Sequence, residues 1–227
     1  MKFPYQLIDL THTLDENSPA WDEDCGFSSS TVLDYADCTN ETRFRVQHIT
    51  MPAGMGTHMD APSHCCPEGL SIDQITPDQL VASCVLIDVS PKAHEFYKVT
   101  PQDITDFEKT HGQIQPESFV IIKTGWSALW DNPIHYRNDH KFPSVAAETA
   151  NLLVSRGIVG LGIDTLSPDR PDDGYPVHRI LLSSGRYIVE NIANSEKLPP
   201  KGAFVMAFPL KISQATEAPM RLMGLLP

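Results

Sequence analysis

Three short apolar runs constrain the fold of this chain more than any other feature. Residues 84–89 (Cys-Val-Leu-Ile-Asp-Val), 118–123 (Ser-Phe-Val-Ile-Ile-Lys) and 158–163 (Ile-Val-Gly-Leu-Gly-Ile) are strand-length and almost uninterrupted. A strand with one wet face alternates apolar and polar residues, whereas a continuous run belongs to a strand buried on both faces, as in a sheet covered by helices. Helical signals lie between the runs. Thr100-Pro101-Gln102-Asp103 offers a capping residue, a proline at the first helical position and an acidic first turn. Residues 144–156 carry helix formers with Val145, Thr149, Leu152 and Leu153 as the buried stripe, and Gly157 stands where a C-terminal cap would. Strands alternating with helices define an α/β chain. The first third is more strand-like and richer in turns, and 19 prolines keep every element short. The expectation is one domain over residues 1–227, a mixed sheet with flanking helices.

Composition narrows the partners. With 17 basic against 29 acidic residues, a net charge of −12 and no Lys/Arg-rich run, the chain lacks the electrostatic footprint for nucleic acid or an anionic membrane surface. A small-molecule substrate is expected. No stretch approaches ~18 consecutive apolar residues, and the opening residues lack the apolar block of a secretory signal, so a cytoplasmic location is expected. Five cysteines without a Cys-x-x-Cys pair do not make a disulfide framework, and Cys65-Cys66 are read as free, partly buried thiols.

The groups able to do chemistry are concentrated in Gly56-Thr57-His58-Met59-Asp60-Ala61-Pro62-Ser63-His64. In an extended segment His58, Asp60 and His64 share parity and so one face. Two imidazoles and a carboxylate suit a divalent ion such as Zn²⁺ or Mn²⁺, while each residue taken singly is as readily surface or core filler. A second group closes the run at 158–163: Asp164, Thr165 and Ser167 stand at the carboxyl end of a buried strand, where α/β folds form pockets. A capping role is the plainer reading of Asp164. Further on, His178 begins a helix-like stretch and Glu190 ends a strand-like one. Trp21 and Trp126 are candidate walls for a flat substrate, with core packing as the alternative. There is no Gly-x-Ser-x-Gly elbow, which leaves a nucleophilic serine enzyme without support.

The run at 56–64 resembles the H-x-G-T-H-x-D-A-P-x-H signature of the cyclase-like metal-dependent hydrolases, the family of bacterial kynurenine formamidase and isatin hydrolase. Ile8-Asp9-Leu10-Thr11-His12, Lys123-Thr124-Gly125-Trp126, Gly162-Ile163-Asp164-Thr165-Leu166-Ser167, His178, Glu190-Asn191, Leu198-Pro199 and Pro219-Met220-Arg221 resemble further blocks in the same order. The resemblance implies a swivelling β/β/α fold, a homodimer or homotetramer, and one or two divalent ions, Zn²⁺ or Mn²⁺. It implies His58, Asp60, His64, His178 and Glu190 as metal ligands, with His64 or Glu190 then available for proton transfer; the candidate substrate contacts remain Trp21 and Trp126, as aromatic walls, and Asp164, from its place at a strand end. The implied reaction is hydrolysis of an amide, cyclic amide or lactone-type carbonyl. One position departs: the first histidine of the signature falls at 54, where this chain has Gly54. A site missing one ligand holds one ion instead of two, binds it weakly, or recruits another group, with His48 the nearest spare imidazole in sequence; the rival reading is a non-catalytic binding protein that has lost its metal.

Overall fold

The structure is a computed structural model that describes residues 4–227. In chain order its strands and α-helices are β1 (Gln6–Asp9), β2 (Ser28–Leu33), β3 (Val46–Thr50), β4 (His58–Asp60), α1 (Pro77–Leu80), β5 (Val81–Asp88), β6 (Lys98–Val99), α2 (Pro101–His111), β7 (Phe119–Lys123), α3 (Pro133–Arg137), β8 (Ser144–Val145), α4 (Ala147–Ser155), β9 (Gly160–Ile163), α5 (Pro176–Ser183), β10 (Tyr187–Glu190), β11 (Ala203–Pro209) and β12 (Glu217–Leu226). The three apolar runs become β5, β7 and β9, parallel neighbours in the centre of one mixed sheet, with β10 continuing the parallel set. β11 and β12 add antiparallel strands on one side, and β4 pairs with β10 on the other. β4 also pairs with the start of β12, so the sheet curls into a closed, barrel-like ring with β1 laid along the end of β12.

Alternate residues of each central strand serve two different cores. Phe119 and Ile121 of β7 point into the ring with Met59, Val189 and Leu222. Val120 and Ile122 point outward, under Ile104, Leu153 and Leu181 of α2, α4 and α5. Each such side chain contributes roughly 1.5–3 kcal/mol by leaving water, so a strand with both faces covered has no position for a polar residue. β11 has no helix over its outer face. Its pattern therefore alternates, with Val205 and Ala207 buried and Phe204 and Phe208 exposed.

α2 begins as its sequence requires, the Asp103 carboxylate accepting the Thr100 backbone N–H at 2.7 Å. The helix expected over 144–156 starts only at Ala147. Ser144 and Val145 are taken by a short parallel pairing with Lys98 and Val99, which satisfies backbone groups that a helical turn would otherwise use. At the other end Gly157 takes φ +73 just past the Arg156 cap. No helix among the described residues is long and apolar enough to cross a membrane.

Outside the ring, β2 and β3 form an isolated antiparallel ribbon whose residues are exposed on both faces apart from partly covered Leu33. Val32 is 68% and Ile49 53% exposed on it.

Candidate metal centre and cavity

β4 lies between β10 and β12 at the place where the ring closes. Met59 turns inward to the core, so His58 and Asp60 both face outward, toward α5. Across β10, Glu190 stands directly opposite His58; across β12, Glu217 stands directly opposite Asp60. Three neighbouring strands thus bring an imidazole and three carboxylates to one face. α5 supplies a second imidazole, His178. The Asp169 carboxylate accepts the Val177 and His178 backbone N–H groups at 3.0 and 2.9 Å, capping the helix, and meets His178 Nδ1 at 2.8 Å.

Both rings are oriented in the same way. His58 Nδ1 lies 2.8 Å from the Gly56 carbonyl oxygen and His178 Nδ1 from Asp169, and since both partners can only accept, each ring carries hydrogen on Nδ1 and turns Nε2 to the centre. His58 Nε2 is then 3.3 Å from Asp60 Oδ1 and 3.4 Å from Glu190 Oε2; His178 Nε2 is 3.5 Å from Asp60 Oδ2 and from Glu190 Oε1. Both Asp60 oxygens and Glu190 Oε1 are buried with no hydrogen-bond partner. Donors bound tetrahedrally at ~2.0–2.1 Å stand about 3.4 Å apart, so orphaned buried oxygens at these separations fit a shared divalent cation. The donor atoms of Asp60, His178 and Glu190 lie within 4.8 Å of one another, as do those of His58, Asp60 and Glu217.

The electrostatics reflect the crowding. Burial disfavours a charged ring, yet Asp60 and Glu190 raise His58 to about 10. Burial also opposes charge on His178, but Asp169, Asp60 and Glu190 hold its pKa well above the ordinary value. Burial alone would raise Asp60, and the two imidazoles beside it keep it below the usual carboxylate range. Glu190 goes the other way, raised by burial and by the charge of Asp60.

The backbone around the centre is clamped. Gly56 takes φ +62, and a Cβ there would fall 2.3 Å from Leu14, so the segment entering β4 requires glycine. Asn191, itself at φ +56, donates from Nδ2 to the Gly56 carbonyl at 2.8 Å, while its own carbonyl accepts from the Thr57 hydroxyl at 2.6 Å. The Tyr136 hydroxyl donates to Asn191 Oδ1.

These groups form the inner end of a cavity of about 550 Å³ whose apolar walls include Trp21, Met55, Leu166 and Tyr175. Of the residues singled out in the sequence, His58, Asp60, His178 and Glu190 converge, and Trp21 lines the cavity. His64 stands apart from both donor groups. The chain leaves β4 at Ala61 and turns through Pro62–His64 as a 3₁₀ helix, so strand parity does not carry to residue 64. Its ring lies at the rim, with Nδ1 3.4 Å from Glu217 Oε2. Trp126 and Asp164 are not cavity residues. Trp126 packs in an aromatic cluster behind the wall and donates to the Tyr136 carbonyl at 2.8 Å. Asp164 is fully buried and ties β9 to the turn after β7, accepting from Thr124 N, Thr124 Oγ1 and Gly125 N at 2.8, 2.6 and 2.8 Å. His48 lies on the exposed ribbon and in neither donor group. Cys65 lines the cavity, Cys66 packs against the outer core, and all five cysteines are free.

Asp169, Asn191 and Glu217 went unassigned from sequence. Asp169 could have been found as the acid nine residues before His178, ahead of Pro176 at a helix start. Glu217 carries no local signal, because its role comes from strand pairing with β4.

The Cyclase family model matches residues 8–170. Kynurenine formamidase of Paracidovorax citrulli is 26% identical over 223 residues, covering 97% of this chain and 97% of that protein. Isatin hydrolase A from Labrenzia aggregata, solved with benzyl benzoate bound, superimposes with a TM-score of 0.89 at 31% identity, covering 98% of this chain and 94% of that one. A structure described as a potential metal-dependent hydrolase with cyclase activity matches with a TM-score of 0.76 at 28% identity, covering 98% of both chains. With the signature around His58 and Asp60, the ring topology and these relatives in agreement, the chain belongs to the Cyclase family of hydrolases.

Proposed function

We propose that the protein is a metal-dependent hydrolase that cleaves the C–N bond of an aryl amide or cyclic amide, with a lactone-type carbonyl as the related alternative. The observation that carries this reading is the set of orphaned Asp60 and Glu190 oxygens facing two imidazoles whose Nε2 atoms are turned toward them. Asp60, His178 and Glu190, with His58 beside them, would hold the cation. A Zn²⁺ or Mn²⁺ ion supplies Lewis-acid chemistry, polarising a carbonyl and lowering the pKa of water from 15.7 toward ~7. The chain's own residues do the rest. Trp21, Leu166 and Tyr175 offer flat apolar surface against which an aromatic substrate stacks, and a cavity of about 550 Å³ matches a small aromatic amide. His64, at the rim and with a third of its side chain exposed, would take a proton from water and return it to the leaving nitrogen.

The exposed apolar ribbon of β2 and β3 supports a homo-oligomer, because a two-stranded hairpin with bare Val32 and Ile49 is marginal until covered. Five free thiols fit a reducing cytoplasm.

The test is elemental analysis of protein purified without chelator, followed by a screen of N-formyl aryl amides, cyclic imides and aryl lactones. Bound metal with turnover of one class supports the reading. Protein that neither retains nor takes up Zn²⁺ or Mn²⁺ is instead a binding protein on this fold.

A further inference from the structure

Position 54 is where the metal-binding signature breaks, and the fold fills it from elsewhere. A Cβ built on Gly54 would lie 2.3 Å from Glu217 Oε1 and 3.3 Å from His58 Nε2. The space that a side chain at 54 would take is therefore occupied by the Glu217 carboxylate. Glu217 reaches it from β12, directly opposite Asp60. Side chains directly opposed across an antiparallel pair project from the same face, and like charges in that arrangement repel. Among the described residues no lysine or arginine lines this cavity to compensate. What faces the two acids is His58 on the inner side and, toward solvent, His64, whose Nδ1 is 3.4 Å from Glu217 Oε2; the donor atoms of His58, Asp60 and Glu217 fall within 4.8 Å of one another. The Asp60 side chain is 1% exposed and neither of its oxygens has a hydrogen-bond partner.

We infer that Glu217 replaces the ligand missing at position 54, forming with His58 and Asp60 a second divalent-cation site that shares Asp60 with His178 and Glu190. The inference rests on the metal-dependent reading above. Each site then has one imidazole and two carboxylates, a donor set that accepts Mn²⁺ as readily as Zn²⁺. The two differ in access. Glu190 is buried, while the Glu217 side chain is 26% exposed at the cavity rim, so the second ion exchanges faster and binds more weakly.

Metal-stripped protein titrated with Mn²⁺, with bound metal counted by elemental analysis after desalting and read by electron paramagnetic resonance, tests this. The wild type is expected to take two equivalents. Glu217→Gln, nearly isosteric and at a partly exposed position, is expected to keep one tight equivalent and lose the weaker. The double variant Gly54→His with Glu217→Ala, which moves the ligand back to 54, is expected to recover the second equivalent. Two equivalents of unchanged affinity in Glu217→Gln, or a single wild-type equivalent that Glu217→Gln leaves unchanged, overturns the assignment of Glu217 and leaves the hydrolase reading standing. No bound Mn²⁺ in the wild type overturns both.

Discussion

Asp60, His178 and Glu190 sit at the inner end of the cavity on two paired strands and a capped helix, whereas Gly54, His64 and Glu217 sit at its partly exposed rim. At the inner end each ring has a named acceptor behind it, Gly56 for His58 and Asp169 for His178, and Asn191 locks the strand entry. At the rim the side chains of His64 and Glu217 are 33% and 26% exposed. A centre that must hold a cation needs positions fixed to a fraction of an ångström, and that requires supporting hydrogen bonds in a rigid frame. The rim has no such demand, and there a ligand can be moved from one segment to another without rebuilding the fold.

The largest effect that would sharpen this contrast is expected from Asp60→Asn. Asp60 serves both donor groups, so its loss should remove bound metal altogether and cut turnover beyond the ~10–100-fold that supporting residues cost. Retained stoichiometric metal would show that the inner end does not depend on this carboxylate. Next comes Asp169→Asn. The change touches no cation directly but removes the charged partner of His178 Nδ1, so metal affinity at the inner site should fall by ~10–100-fold while the His58 side is little affected. Equal loss at both sites in a chelator competition would mean that the two halves act as one unit.

Asn191→Ala probes the frame itself. The Gly56 carbonyl loses its Nδ2–H donor, and alanine must adopt the left-handed backbone that asparagine tolerates at φ +56. A loss of about 1–3 kcal/mol is expected in chemical denaturation performed in chelator, where metal cannot mask it. Trp21→Ala addresses the rim instead. It should leave metal content unchanged and raise KM for an aromatic substrate by roughly 10-fold, the scale of one lost apolar contact in a pocket. A change in metal content would tie the rim to the centre more closely than its exposure indicates.

The central sheet was legible in the sequence because both faces of β5, β7 and β9 are buried, which forces continuous apolar runs. The ring closure was not, since it depends on β4, a strand of three residues, pairing with β10 and β12 from the far end of the chain. The site divides in the same way. His58 and Asp60 share a face because they are two residues apart on a strand, a fact local sequence carries. His64 escapes that rule because Pro62 opens a 3₁₀ turn, and Glu217 is invisible beside Asp60 until the 156 intervening residues fold back. Asp164 was a reasonable pocket residue by its place at a strand end, but three hydrogen bonds from Thr124 and Gly125 consume its carboxylate.

The smallest effect on stability, and the sharpest test of the separation between ring and ribbon, is expected from Val32→Ser combined with Ile49→Ser. Both side chains are more than half exposed, and neither belongs to the inner or the outer core. Exposed substitutions of this kind change a monomer's stability by less than about 0.5 kcal/mol. If a second copy covers the ribbon, the same pair of changes removes apolar surface from an interface, and sedimentation should report a shift toward monomer while the metal content stays constant. A stability loss of several kcal/mol at a dilution where the wild type is monomeric would show that the ribbon packs on its own ring, and the contrast drawn between the two regions would not hold.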